Sequence, residues 1–119
     1  MTNREMLEFA AKAARIDVVR SRLDDRMSRD FLVNASARNP YQVSGPWNPI
    51  ADDGDAMRLM VRLRLEPRFL DNSHSNGAEP SRVTLHNVAG IVENIDDDPL
   101  AATRRAIVRA AAEIGKGVW

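Results

Sequence analysis

Residues 96–115 read DDDPLAATRRAIVRAAAEIG and contain a start signal, an apolar stripe and a stop signal for one helix. Asp98 can cap the free backbone amides at the helix start, and Pro99 suits the first helical position because its missing N–H costs nothing there. Apolar and small residues then recur at helical spacing, namely Leu100, Thr103, Ile107, Ala110, Ala111 and Ile114. Gly115 favours a left-handed stop. The segment therefore predicts a packing helix that ends at Gly115.

A second helix is predicted at the N-terminus, over Asn3–Arg15. Thr2 followed by Glu5 is a capping-box pattern. A helical stripe of apolar and small residues follows it, consisting of Met6, Phe9, Ala10, Ala13 and Ala14. The segment Asp17–Leu23 has no clear break from this helix and can continue it.

A third helix is predicted over Asp53–Arg64. Asp52, Asp53 and Asp55 stand at its start, where the helix dipole favours negative charge. One face carries Ala56, Leu59, Met60 and Leu63, and Arg58 and Arg62 fall off that face. The residues up to Leu70 also alternate at strand spacing, and Pro67 would confine such a strand to a sheet edge.

The remaining chain favours strands and loops. The apolar run Phe31–Val33 is compatible with a strand, and Ala35–Ile50 is typical of a connection because its prolines restrict the backbone. Alternation at Val83 and Leu85, followed by a second apolar group after Gly90, predicts a hairpin that turns at Asn87–Gly90. The second group consists of Ile91, Val92 and Ile95.

This order of elements predicts an α+β fold, with a small antiparallel sheet flanked by about three helices in an α-β-α sandwich-like arrangement. The 119 residues suffice for about one domain, so we expect a single domain over 1–119. No internal repeat is visible in the sequence.

Composition excludes several classes of function. The chain has no cysteine, which rules out disulfides, thiolate zinc sites and a cysteine nucleophile. Seventeen basic and seventeen acidic residues cancel, so no global field draws it to nucleic acid or to an anionic membrane. Charged residues interrupt the N-terminal segment, which therefore resembles neither a signal peptide nor a membrane span. We expect a cytoplasmic protein, monomeric or a small homo-oligomer.

Three segments together carry a resemblance: MTNREMLEFAAKAA (1–14), WNPIADDGDAMRLMVRL (47–63) and the C-terminal helix of residues 96–115. They resemble small uncharacterised phage and prophage proteins, in which a Trp-Asn-Pro turn leads through an Asp-rich cap into a helix. Here these elements are Trp47-Asn48-Pro49 and, in the closing helix, Ala102–Arg109. The chain is similar to the phage α-β-α sandwich domain and, more distantly, to NinX-like phage proteins. The resemblance implies a phage origin and supplies no catalytic residues.

Two groups of residues could carry chemistry, and for both the structural interpretation is favoured. The aspartates at 52–55 and 96–98 could hold a hard cation, but they stand where helix caps already favour Asp. His74 and His86 lack any nucleophile motif around them. We therefore predict no enzyme activity, no catalytic or metal-ligating residue and no cofactor.

The candidate interaction residues are arginines and a tryptophan: Trp47, Arg58, Arg62, Arg104, Arg105 and Arg109. Trp47 is expected to fill the core and fix the start of the second predicted helix, with an interface anchor as the alternative. Arginines from the last two helices, with Arg64 and Arg68, could form a phosphate-binding face. The sequence thus leaves three hypotheses: a non-enzymatic module that binds a host or phage protein, a small nucleic-acid-binding protein and, as the weakest, a metal-dependent enzyme that would use the Asp clusters. The first is favoured.

Overall fold

The computed structural model describes residues 1–16, 18–20, 32–34, 46–70, 82–95 and 97–117. These residues contain three helices and six short strands. In chain order they are α1 (Asn3–Ala14), β1 (Val18–Arg20), β2 (Leu32–Asn34), β3 (Pro46–Trp47), α2 (Asp53–Leu63), β4 (Pro67–Leu70), β5 (Arg82–Leu85), β6 (Val92–Asn94) and α3 (Pro99–Lys116). The predicted α+β class, with three helices and an antiparallel sheet, is confirmed.

The strands form two antiparallel sheets, which we call the first sheet (β1-β2-β3) and the second sheet (β4-β5-β6). Among the described residues the order of elements repeats: a helix is followed by three antiparallel strands, twice, and α3 follows. The sequence shows no repeat because the two halves share an order of elements rather than residues.

The two repeated helices also end alike. Arg15 and Arg64 each adopt a left-handed backbone, with φ of 57° and 56°. The amide of the next residue then bonds back into the helix, from Ile16 to the Ala11 carbonyl and from Leu65 to the Met60 carbonyl, both at 2.9 Å. This is a Schellman closure, in which the following apolar residue turns back onto the helix.

Helix α1 begins as predicted and ends one residue before the predicted boundary. Thr2 Oγ1 accepts a hydrogen bond from the Glu5 amide at 3.1 Å, which caps the helix start. The expectation that the helix can continue over 17–23 is wrong for its described part, because Val18–Arg20 is a strand. The left-handed Arg15 ends the helix before that point.

Helix α3 has the predicted start and a later end. Asp98 Oδ1 accepts hydrogen bonds from the amides of Leu100 and Ala101, both at 3.1 Å. The predicted stop at Gly115 is wrong: the helix continues to Lys116, and Gly117 is its C-terminal cap. Gly115 instead lies buried where α3 meets the backbone of Phe9 on α1. Its missing side chain permits close helix packing.

The core is built around α3, which contacts both other helices and all three strands of the second sheet. Its buried residues therefore extend around more than one face, as expected of a helix covered on two sides. They are Ala106, Ile107, Val108, Ala110, Ala111, Ala112 and Gly115. Val108, which is fully buried, was missing from the predicted stripe. Leu100 was wrongly included in it, because its side chain is 60% exposed at the helix start.

The second sheet confirms the predicted hairpin and edge strand. Strands β5 and β6 pair in register Thr84↔Val92, with the chain turning between them and Gly90 at a φ of 83°. Strand β4, which begins at Pro67, lies at the edge of the sheet as its proline requires. Val83 and Leu85 are buried, and β5 contacts α3. One face of this sheet therefore belongs to the core.

The predicted strand Phe31–Val33 corresponds to β2, shifted by one residue; Phe31 itself lies outside the described residues. In the predicted connection Ala35–Ile50, the described end contains the short strand β3 and a turn. His74 and Trp119 also lie outside the described residues.

Candidate interaction surface

Trp47 occupies the core rather than the surface. Its side chain is only 5% exposed and belongs to the main cluster of buried apolar residues. Pro49 beside it is fully buried. The geometry supports the expected core position of Trp47 and leaves little of its ring for a partner.

The turn after Trp47 is organised by Asn48. Its side-chain Oδ1 accepts a hydrogen bond from the Ile50 amide at 3.2 Å, and its carbonyl accepts one from Asp52 at 2.9 Å. Its own amide donates to Asp55 Oδ2 at 3.0 Å. The Trp-Asn-Pro turn thus delivers the chain into the first turn of α2 with its polar groups satisfied.

The aspartates of α2 serve as caps and ion-pair partners. Asp52 Oδ2 accepts the Asp55 amide at 2.8 Å, which caps the helix. Asp55 Oδ1 accepts from Arg58 Nη2, also at 2.8 Å. Over the part of the chain that the structure describes, no three His, Asp or Glu side chains come together in a way that could hold a metal ion.

Arg104 ties α3 to the start of α2. Its Nε donates to the Ile50 carbonyl at 2.7 Å, and its Nη1 forms an ion pair with Asp53. The side chain is 16% exposed. Arg104 is therefore engaged in packing the two helices together.

Arg105 and Arg109 converge on a carboxylate of β6. Glu93 Oε1 lies 3.4 Å from Arg105 Nε and 3.0 Å from Arg109 Nη1, and Arg109 also donates to the Val92 carbonyl at 2.9 Å. Because Glu93 is cross-strand partner of the buried Val83, it points to the helix-covered side of the sheet. These contacts fasten α3 to β6.

An open crevice of about 380 Å³ lies beside these pairs. Its lining consists of Met1, Met6, Glu93, Arg105, Arg109, Glu113 and Lys116. Lys116 Nζ lies 3.1 Å from Glu113 Oε1, so each charged side chain that lines the crevice has an ion-pair partner in the lining. Because Arg105 and Arg109 share Glu93, the lining still has three cationic side chains against two carboxylates, although each cation has a partner.

Helix α2 presents a different kind of surface. Met57 and Val61 are 62% and 66% exposed, and their spacing of four residues places them side by side. Arg58 and Arg62 lie next to them, and the exposed Arg64 caps the helix end. We call these five residues the α2 surface. Sequence reasoning passed over Met57 and Val61, although the helical period already places them away from Ala56 and Leu59.

The cations of the α2 surface differ in how they are engaged. Arg58 pairs with Asp55. Arg62 and Arg64 make no ion pair with any other described residue. The six candidate residues are thus divided among the core, the contacts of α3 with its neighbours, and the α2 surface.

Comparison with protein-family models, curated proteins and solved structures finds no match to this chain. In the described residues, none of the helices combines the length and apolar character needed to cross a membrane.

Proposed function

We propose that this chain is a non-enzymatic protein-binding module whose partner docks on the α2 surface. The observation that carries the proposal is the exposed pair Met57 and Val61, 62% and 66% accessible on a helix whose opposite side is buried. Large adjacent apolar side chains in water are costly to leave uncovered, and they supply affinity when a partner covers them.

The charge of the α2 surface indicates which kind of protein binds it. Arg62 and Arg64 have no described ion-pair partner, and the Asp55 carboxylate on the same helix is shared between Arg58 and the Asn48 amide. The surface therefore has net positive charge around an apolar centre. Its partner is an acidic protein surface with apolar side chains, because charge complementarity steers association and fixes orientation.

Nucleic-acid binding by the arginines of α2 and α3 is the second candidate, and the geometry favours it less. Arg58, Arg104, Arg105 and Arg109 each make an ion pair with a carboxylate of the chain. A phosphate backbone would have to compete with those carboxylates for the same guanidinium groups. Protein binding on the α2 surface needs only the unpaired Arg62 and Arg64 as cations, and it also uses the exposed Met57 and Val61, which a phosphate backbone would not.

The setting we propose is that of a phage or prophage accessory protein in the bacterial cytoplasm, acting on a host or phage protein. The support is the resemblance of residues 1–14, 47–63 and 96–115 to small phage proteins.

The experiment is an affinity capture from bacterial host lysate with three tagged forms: wild type, Met57→Ser/Val61→Ser, and Leu100→Ser. Leu100 is a matched control because it is 60% exposed on another helix. We expect a protein that survives nuclease treatment, is lost with the double variant, and is retained with the control. The captured protein should then bind the purified Arg62→Glu variant more weakly than it binds purified wild type. The proposal would be overturned if the proteins lost with the double variant were also lost on nuclease treatment, or if all three forms recovered the same proteins equally.

A further inference from the structure

The second sheet has a face that the helices do not cover. Val83 and Leu85 of β5 are buried, so Arg82 and Thr84 between them project to the opposite side. Cross-strand partners share a face, and the register therefore assigns six residues to this side. They are Arg68 and Leu70 on β4, Arg82 and Thr84 on β5, and Val92 and Asn94 on β6. We call them the outer sheet face.

Two arginines lie diagonally on this face. Arg68 is the cross-strand partner of Thr84, and Arg82 is two residues before Thr84 on the same strand. Diagonal neighbours of this kind have Cα atoms about 7–8 Å apart, within joint reach of one extended anionic ligand. Both arginines are exposed. Two positive charges on one face give it a local positive potential that favours an anionic ligand.

The described carboxylates leave both arginines unpaired. Glu93 points to the other side of the sheet, where Arg105 and Arg109 hold it. Glu66, two residues before Arg68, forms no ion pair with it or with any other described cation. The outer sheet face therefore carries net positive charge that the described chain does not neutralise.

The other polar residues of the outer sheet face indicate which class of anionic ligand it binds. Thr84 supplies a hydroxyl and Asn94 an amide, and Arg, Thr and Asn side chains are among the usual donors to phosphate oxygens. No aromatic residue stands at the six positions, and Phe69 of β4 belongs to the opposite face. A platform for stacking single-stranded bases is thus lacking, whereas a flat row of donors suits a backbone.

We propose that the outer sheet face binds the phosphate backbone of a nucleic-acid duplex without reading its sequence. This contact is independent of the α2 surface, which uses different elements and apolar anchors. Arg68 and Arg82 neutralise neighbouring phosphates, and Thr84 and Asn94 donate to the phosphate oxygens between them. An acidic protein strand is the competing ligand: the exposed Leu70 and Val92 would suit its apolar side chains, whereas the other four residues of the face all donate to phosphate oxygens.

The test is fluorescence anisotropy of labelled DNA and RNA duplexes of about 20 base pairs and mixed sequence, titrated with the full chain between about 50 and 200 mM salt. Arg68→Gln/Arg82→Gln is compared with Arg62→Gln/Arg64→Gln, which removes the same charge from α2. We expect the sheet variant to weaken binding and to lower the slope of log affinity against log salt by about 2, since each phosphate contact contributes about 1. The α2 variant should bind almost like wild type.

Three results would overturn the proposal. One is no binding of either duplex, and another is an equal loss in both variants, which would indicate net charge alone. The third is tighter binding of labelled poly-glutamate with the same dependence on Arg68 and Arg82, which would assign the face to an acidic protein. The single variants Arg68→Gln and Arg82→Gln, checked for an unchanged thermal midpoint, serve if the double variant unfolds.

Discussion

At the scale of single residues, Gly115 is the described position at which a side chain is least tolerated. A methyl group built on its Cα would overlap the backbone carbonyl of Phe9 across the contact of α1 and α3. Backbone cannot swing aside as the end of a flexible side chain can. We therefore expect Gly115→Ala to lower the free energy of unfolding by about 1–3 kcal/mol, the usual cost of overpacking a core, as measured by urea denaturation.

Gly117→Ala is the matched control. A methyl group there has its nearest neighbour, the Ile114 carbonyl oxygen, at an ordinary 3.6 Å, and the backbone φ of −89° suits any residue. Its unfolding free energy should stay within about 0.5 kcal/mol of wild type. Equal effects at both glycines would contradict the packing described for α1 and α3.

Ile107 provides a second comparison on α3. Its side chain is 3% exposed, whereas Leu100 on the same helix is 60% exposed. Truncating a buried isoleucine to alanine removes contacts and leaves a cavity, so Ile107→Ala should cost about 2–5 kcal/mol. Leu100→Ala should cost under about 0.5 kcal/mol by the same denaturation measurement. A larger loss for Leu100→Ala than for Ile107→Ala would contradict the assignment of the buried and exposed faces of α3.

The sequence predicts the role of Ile107 and mispredicts those of Leu100 and Gly115, for a physical reason. Helical periodicity tells which residues share a face, and it correctly groups Ile107, Ala110 and Ala111. Periodicity does not show how far along the helix the neighbouring elements extend. They do not cover the start of α3, and Leu100 is therefore exposed. Nor does periodicity show that a neighbouring helix passes close enough to require a glycine at 115.

At the scale of elements, Asn87 joins α2 and β4 to the hairpin of β5 and β6. Its Nδ2 donates to the Arg64 carbonyl at 2.7 Å, and its Oδ1 accepts from the Glu66 amide at 3.1 Å. Arg64 ends α2 in the left-handed conformation, so Asn87 satisfies backbone groups that this sharp turn leaves free.

We expect Asn87→Ala to lower the free energy of unfolding by about 0.5–1.5 kcal/mol, because two hydrogen bonds are lost from an exposed site. His86→Ala is the control, since His86 is exposed and its described bond to Glu66 uses its backbone amide. Thermal unfolding of both variants measures the difference. An Asn87→Ala variant as stable as His86→Ala would show that the side-chain hydrogen bonds of Asn87 do not stabilise the turn.

Helices were predicted better than strands because their signals are local. The helix caps at Thr2, Asp52 and Asp98 can be predicted from the residues beside them, and all three occur in the structure. Strands β1 and β3 have three and two residues and depend on pairing with β2. Segments of that length are too short to show alternation, so their partners rather than their own residues decide them.

At the scale of the whole molecule, α3 organises both packing and charge. It lies between the second sheet and the other two helices, and its arginines secure those contacts: Arg104 pairs with Asp53, and Arg105 and Arg109 with Glu93. Sequence reasoning could place these arginines on one helix but could not find their carboxylates, which come from distant segments. The exposed cations without a described ion-pair partner lie elsewhere: at the end of α1 (Lys12 and Arg15), on α2 and on the outer sheet face.

The measurement that tests the central claim most directly is site-specific photo-crosslinking in bacterial host lysate. A benzophenone amino acid is placed at Met57 in one sample and at Leu100 in another, two positions of similar exposure on different helices. The account predicts a discrete, nuclease-resistant protein adduct from position 57 that is absent from position 100. Equal adducts from both positions, or adducts from 57 that nuclease removes, would contradict a protein-binding α2 surface.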